Sequence, residues 1–265
     1  MKFLQVGDAA IHYQADGLSD GRPIIALVNS LGTDLRIWDP VVAALGRHYA
    51  FLRHDKRGHG LSETGSAPAS IETHAADVLA LMAHLDIERV ILWGLSIGGL
   101  VAQSIAVSHP ERVRALILSN TAHKIGTAEM WNARIGAIKA EGLSPMVDPV
   151  MERWFTPAFR RADNPLYAGA RTMLARQEVE GYCRSAAAVR DADFTEALRG
   201  VALPTLCIAG SGDGSTPPAL VRELSALIPG SHYAEIDACG HIPCLEQPDA
   251  YAACVADFLT RLPEL

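Results

Sequence analysis

Val90-Ile91-Leu92-Trp93-Gly94-Leu95-Ser96-Ile97-Gly98-Gly99 is the stretch whose reading decides the fold. Its first four residues are apolar without alternation, which suits a strand buried on both faces, as in parallel sheets. A helical pattern follows over 99–108. Between them, Gly-x-Ser-x-Gly forms a sharp strand-to-helix turn. The residues flanking the serine must be tiny there, because neighbouring strand and helix pass close by. The turn lifts the serine hydroxyl above the sheet edge. The helix that begins beneath it supplies backbone donors and the positive end of its dipole to any oxyanion formed there. Ser96 is therefore the candidate nucleophile.

Working outward, similar apolar runs end in polar or glycine-rich corners. Ile24–Val28 leads into Asn29-Ser30-Leu31-Gly32, and 49–53 leads into His54-Asp55-Lys56-Arg57-Gly58-His59-Gly60. Residues 115–118 end at Ser119-Asn120. Over 71–85, Ala75, Val78, Leu79, Met82 and Leu85 keep a helical period. Alternating strand and helix signals predict a doubly wound, mostly parallel α/β sheet. Lys2–Val6 and 10–14 alternate more and suit an antiparallel edge hairpin. After Asn120 the alternation stops until the next buried-strand signal at 205–209. The intervening chain reads as helices over 127–141, 145–155, 165–177 and 178–190. Ser144-Pro145 and Asn164-Pro165 suit helix starts, and Gly142 a helix stop. The expected organisation is a core of 1–120 and 205–265 with a helical cap, 121–204, over the carboxyl ends of the strands. A strand at 233–236 and a helix near 249–262 close the chain.

A serine nucleophile needs a base, and the base an orienting acid. With a Gly-x-Ser-x-Gly corner of this kind they follow in the order serine, acid, histidine. Asp213 lies just past the 205–209 strand and His241 just past 233–236, on the same rim as Ser96. Of the ten histidines, only His241 has both the strand end and the chain order. His59 suits a turn-stabilising role, His74 and His84 lie on an amphipathic helix, His109 precedes Pro110 at a helix end, and His12 belongs to an edge strand. Asp237 stands too near His241 along one loop, and Asp55 reads as structural. The oxyanion would rest on the N–H groups of Ile97 and Leu31.

Composition narrows the function classes. Apolar residues make up 49% and charged residues 20%, with net charge −7. That balance suits a globular protein and disfavours nucleic acid as partner. An anionic substrate would need a local cation. The N-terminal residues 1–16 mix polar and charged residues, unlike a signal peptide, and no run of 18 uncharged apolar residues is present. The five cysteines lack metal-ligand spacing and read as buried thiols, Cys239 and Cys244 flanking His241 as packing residues, which suits a reducing, cytoplasmic setting.

Several narrower motifs accompany the serine corner: Asn29-Ser30-Leu31-Gly32-Thr33-Asp34-Leu35 with Trp38-Asp39, Asp55-Lys56-Arg57-Gly58-His59-Gly60, and Asn120-Thr121-Ala122-His123-Lys124-Ile125-Gly126-Thr127. Asp213-Gly214-Ser215-Thr216-Pro217-Pro218 and His241-Ile242-Pro243-Cys244-Leu245-Glu246-Gln247-Pro248 complete the set. Across nearly its whole length the chain resembles the 3-oxoadipate enol-lactonases of bacterial aromatic catabolism. That resemblance implies the α/β-hydrolase fold, with a mostly parallel eight-stranded sheet, helices on both faces and an inserted helical cap. It also implies an anionic lactone substrate and no metal or organic cofactor. Many relatives carry His-Gly where this chain has Asn29-Ser30, and often a different pair before Asp213. Some are fused to a carboxymuconolactone decarboxylase domain; ending at Leu265, this chain is expected to leave that activity to a separate protein.

Arg134 is the expected anchor for the substrate carboxylate, with Trp131 on the same helix face and Trp154 and Trp38 as apolar walls. A carboxylesterase, or a C–C bond hydrolase of ring-cleavage products, would use the same triad. Dehalogenases and epoxide hydrolases of this fold carry an aspartate in place of Ser96. A receptor with little turnover on a hydrolase scaffold is a further alternative.

Overall fold

A computed structural model describes residues 1–66 and 70–262. Its strands are β1 (Lys2–Val6), β2 (Ala9–Asp16), β3 (Ile24–Val28), β4 (Ala50–His54), β5 (Val90–Leu95), β6 (Val113–Ser119), β7 (Thr205–Gly210) and β8 (His232–Ile236). They form one sheet in the order β1-β2-β4-β3-β5-β6-β7-β8. β1 and β2 make the antiparallel hairpin expected at the edge, β2 pairs antiparallel with β4, and every later pairing is parallel. Strands β5 and β7 are buried at every position, as near-continuous apolar runs require when helices cover both faces, and β4 is buried throughout as well although it ends in Arg53 and His54.

The helices are α1 (Asp39–Leu45), α2 (Ile71–His84), α3 (Ile97–Ser108), α4 (Ala128–Glu141), α5 (Val147–Trp154), α6 (Pro165–Ala175), α7 (Val179–Asp191), α8 (Pro218–Leu227), α9 (Pro243–Glu246) and α10 (Pro248–Thr260). α2 packs on α3, α1 on α10, and α4 on α7. Local chemistry sets their ends. The side chains of Ser70, Thr127 and Asn164 accept from backbone N–H groups of α2, α4 and α6, and Gly142 ends α4 at φ 77°. The start expected at Ser144 is corrected. Ser144 lies inside a 3₁₀ turn, Ser144–Met146, and caps nothing; the turn closes through Met146 N–H to Leu143 C=O and runs straight into α5. None of the described helices is long and apolar enough to cross a membrane.

The core runs through the sheet and continues into the inserted helices, where Trp131, Ile138, Val150, Met151, Leu174 and Tyr182 are buried. α7 meets the 57–60 corner backbone to backbone: a Cβ on Gly181 would stand 2.4 Å from the Gly58 Cα.

Candidate active site

Five strand ends converge at the carboxyl edge of the sheet. In register, Val28 of β3 stands beside Gly94 of β5, and Leu95 beside Ser119 of β6. Ser96 is therefore central, with loop 29–34 on one side and Asn120 on the other. Ser96 has φ 60° and ψ −119°, a conformation that non-glycine residues rarely adopt. Its neighbours permit it. A Cβ on Gly94 would stand 2.1 Å from the Gly98 carbonyl oxygen, and one on Gly98 would stand 2.0 Å from that of Val28. The strained residue is held at both backbone groups: its N–H donates to Ser119 C=O at 3.0 Å, and its C=O accepts from the Thr121 hydroxyl at 2.7 Å.

His241 Nδ1 lies 2.8 Å from Asp213 Oδ2, and both side chains are buried. Asp213 Oδ1 accepts from the N–H groups of Ser215 and Thr216, and Oδ2 also accepts from the Thr216 hydroxyl and from Asn120 Nδ2. Burial raises the pKa of Asp213, but His241, Asn120 and the Ser215 N–H more than offset it and hold the carboxyl below its ordinary value. Asp213 is thus an anion in a dry place, fixed by donors. Asn120, which also donates to Gly240 C=O, sits at φ 46°. Its position at the end of β6, on the rim that carries Ser96, was the signal that would have found it in the sequence.

Ser96 and His241 face a cavity of about 330 Å³, at the small end for a small-molecule site. Ser30, Leu31 and Ile97 line it from the sheet, and Trp131, Arg134, Arg153, Trp154 and Tyr182 from the inserted helices. Among the described residues, the N–H groups of Leu31 and Ile97 have no acceptor. The expected Arg134, Trp131 and Trp154 are thus brought to the cavity. Trp38 is not, and that expectation is corrected. Trp38 is fully buried in the core, its ring 5.4 Å from Trp93 and 6.4 Å from Tyr251. It begins the turn into α1 on the sheet's flank, and its large apolar ring is used there for packing.

Arg153, which sequence reasoning passed over beside Trp154, is the second cation. Arg134 donates to the Tyr182 hydroxyl and lies over the rings of Trp131 and Tyr182, 5.3 and 5.6 Å from their centroids. Among the described residues its buried Nε has no partner. Burial and the neighbouring Arg134 lower the pKa of Arg153. Among the described residues neither guanidinium pairs with a carboxylate, although most other arginines of the chain do.

The remaining candidates fall as their positions suggested. His59 accepts from Gly32 N–H at 3.0 Å, and Asp55 accepts from Leu35 and Leu61 N–H, so both shape loops. His74 is buried near the Ser185 hydroxyl, and His84 is exposed. Asn29, the departure noted above, closes its loop through Nδ2 to Thr33 C=O. Among the described residues no cluster suits a metal ion.

A model of the alpha/beta hydrolase family matches residues 15–254. The chain belongs to the α/β-hydrolase family. This hydrolase is 36% identical to 3-oxoadipate enol-lactonase 2 of Acinetobacter baylyi, over 97% of this chain and 96% of that one. It is 33% identical to 3-oxoadipate enol-lactonase 1 of the same organism, over 92% and 91%. The crystal structure of the enol-lactonase from Burkholderia xenovorans LB400 matches it with a TM-score of 0.94 and 40% identity, over 98% of the hydrolase and 100% of that chain. A thermophilic esterase from Thermogutta terrifontis, at 23% identity and TM-score 0.90, shares the fold.

Proposed function

We propose that the hydrolase opens 3-oxoadipate enol-lactone to 3-oxoadipate in aromatic-compound catabolism in the cytoplasm, with Ser96 as nucleophile, His241 as base and Asp213 as the acid that orients it. The observation that carries this reading is a cavity holding Ser96 and His241 beneath two guanidiniums that, among the described residues, lack carboxylate partners. In an acidic protein, such a pair calls for an anionic ligand. The likeness to enol-lactonases along the whole chain supports the same substrate. Residues 121–204 act in this reading as a cap that carries the anion site, set on a core of 1–120 and 205–265.

In the first step His241 takes the Ser96 proton as Oγ bonds to the lactone carbonyl carbon. The tetrahedral oxyanion rests on the N–H groups of Leu31 and Ile97, a type of donor worth about 3–4 kcal/mol at the transition state. Collapse breaks the ring C–O bond. The departing enolate is a better leaving group than an alkoxide; it takes the proton from His241 and becomes the ketone, still tethered to the acyl-enzyme. His241 then removes a proton from water as it attacks the acyl carbon, and Ser96 leaves reprotonated. Asp213 stabilises the imidazolium in both halves. The free carboxylate of the substrate is held by Arg134 and Arg153, while Trp131 and Trp154 exclude water around the ring.

The test is the ultraviolet loss of enol-lactone generated from muconolactone. Native protein should consume it rapidly and the Ser96→Ala variant should be inert. Rapid turnover of simple nitrophenyl esters with none of the lactone would replace this reading with an esterase.

A further inference from the structure

Lys56 follows β4 and is completely buried, with its ammonium Nζ 2.8 Å from the carbonyl oxygen of Ser30. Among the described residues this is its only acceptor. Burying an ammonium against a neutral carbonyl is costly unless the charge is used. The carbonyl does not need it, because the Thr33 hydroxyl already donates to the same oxygen at 2.8 Å. A neutral side chain would leave nothing there unsatisfied.

The Ser30 carbonyl belongs to the same peptide unit as the Leu31 N–H. In a planar trans peptide the two point in opposite directions. Drawing the oxygen down onto Lys56 and Thr33 aims the N–H up into the cavity lined by Ser30, Leu31 and Ser96. A positive charge on the oxygen side also withdraws electron density through the amide, and chains of hydrogen bonds strengthen one another in this way in a low dielectric. We propose that Lys56 is a positioning residue that aims and polarises the Ser30–Leu31 peptide, so that its N–H binds the oxyanion more tightly than it binds the neutral carbonyl of the substrate. This rests on the acyl-enzyme reading above, in which Leu31 N–H is an oxyanion donor.

The titratable groups facing Lys56 are Asp55 and His54 beside it, His59 further along its loop, Asp34 from the opposite loop and His74 from α2. Burial lowers its pKa to about 7, against the pull of Asp55 and Asp34. The charge behind the peptide is therefore present at low pH and lost as pH rises through that value.

Steady-state hydrolysis of an uncharged nitrophenyl ester by native protein and by Lys56→Met, Lys56→Gln and Ser96→Ala tests this, each profiled from pH 6 to 10. Expected for Lys56→Met is a kcat roughly 10- to 50-fold lower, the scale of a unit charge behind an oxyanion at an effective dielectric near 20, with KM within about twofold. Native protein should also show an alkaline decline in kcat that both Lys56 variants lack. Native kcat in Lys56→Met, or an alkaline decline that survives it, overturns the proposal while the acyl-enzyme reading stands. If neither variant folds, the native profile decides: a decline above pH 7 supports the proposal and a flat alkaline side overturns it. Turnover by Ser96→Ala would overturn the acyl-enzyme reading itself, and this inference with it.

Discussion

At the residue scale, Asn120 and the paired arginines carry the sharpest consequences. Asn120 Nδ2 ties the Asp213 carboxylate to Gly240 C=O while its own backbone occupies the left-handed region at φ 46°. Asparagine tolerates that conformation better than most residues. Asn120→Gly should therefore keep the backbone unstrained but lose the donor, costing the stability of the Asp213 and Gly240 hydrogen bonds and lowering kcat roughly 10-fold with KM little changed. Asn120→Ala should lose the same activity and about 1 kcal/mol of stability besides, read by thermal melting. Equal melting of the two variants would contradict this account of the strain. For the cations, Arg134→Ala and Arg153→Ala should each raise KM for the anionic lactone by roughly 10- to 100-fold, the range of a charge-assisted hydrogen bond. An uncharged ester should hardly notice. Equal effects on both substrates would remove these residues from the anion site.

At the scale of the element, α5 ends where the chemistry begins. The carbonyl of Arg153 accepts from Gly214 N–H at 3.1 Å, next to Asp213, and that of Trp154 accepts from His241 N–H at 2.7 Å. These are the unpaired last carbonyls of a helix, so its C-terminus is satisfied by the two loops that carry the acid and the base. Glu246 of α9 repeats the link, accepting from Gly240 N–H at 2.7 Å and Thr156 N–H at 3.0 Å. Glu246→Ala leaves both donors unmatched and should lower the melting temperature by roughly 2–10 °C, with a parallel fall in kcat. A fall in stability with native kcat would show that this link holds the fold without orienting His241. On the opposite side α7 rests on Gly58 through Gly181, where no Cβ fits. Gly181→Ala should lift the helix carrying Tyr182 and cost about 1–3 kcal/mol.

Taken whole, the molecule buries Lys56 with His54, His59 and His74 around the carboxyl end of β4. Burial lowers His54 and His74 to about 3, with the Lys56 charge adding to the effect. The sign follows from proton counts. An unfolded histidine takes up its proton near pH 6.5 and the folded one only near pH 3, so the unfolded chain binds more protons between those values. The stability these two histidines contribute is therefore complete above pH 6.5 and is lost as pH falls toward 3; the lowered Asp213 acts in the same direction. Melting followed from pH 7 to pH 4 should show a steep decline, and His74→Gln should flatten it. A melting temperature independent of pH over that range would contradict this.

How much of this was legible beforehand depended on the range of each interaction. The amino-acid sequence alone determined the buried parallel strands, the serine corner and the order of Ser96, Asp213 and His241, because unbroken apolar runs, tiny flanking residues and strand ends are written locally along the chain. It also marked Arg134 and Trp131 through helical spacing. It had no means of separating Trp38 from Trp154: both are tryptophans beside turns, and only packing sends one into the core and the other over His241. Arg153 and the Lys56 contact with Ser30 were equally out of reach, since the groups each faces lie on other elements of the sheet or cap; Asn120 was marked by its strand end, but not the Asp213 and Gly240 partners it holds. Hydrogen bonds and charges act over a few ångströms in space whatever the distance along the chain, so tertiary structure alone decided which donors hold Asp213, which cations face the cavity and which peptide the buried lysine touches.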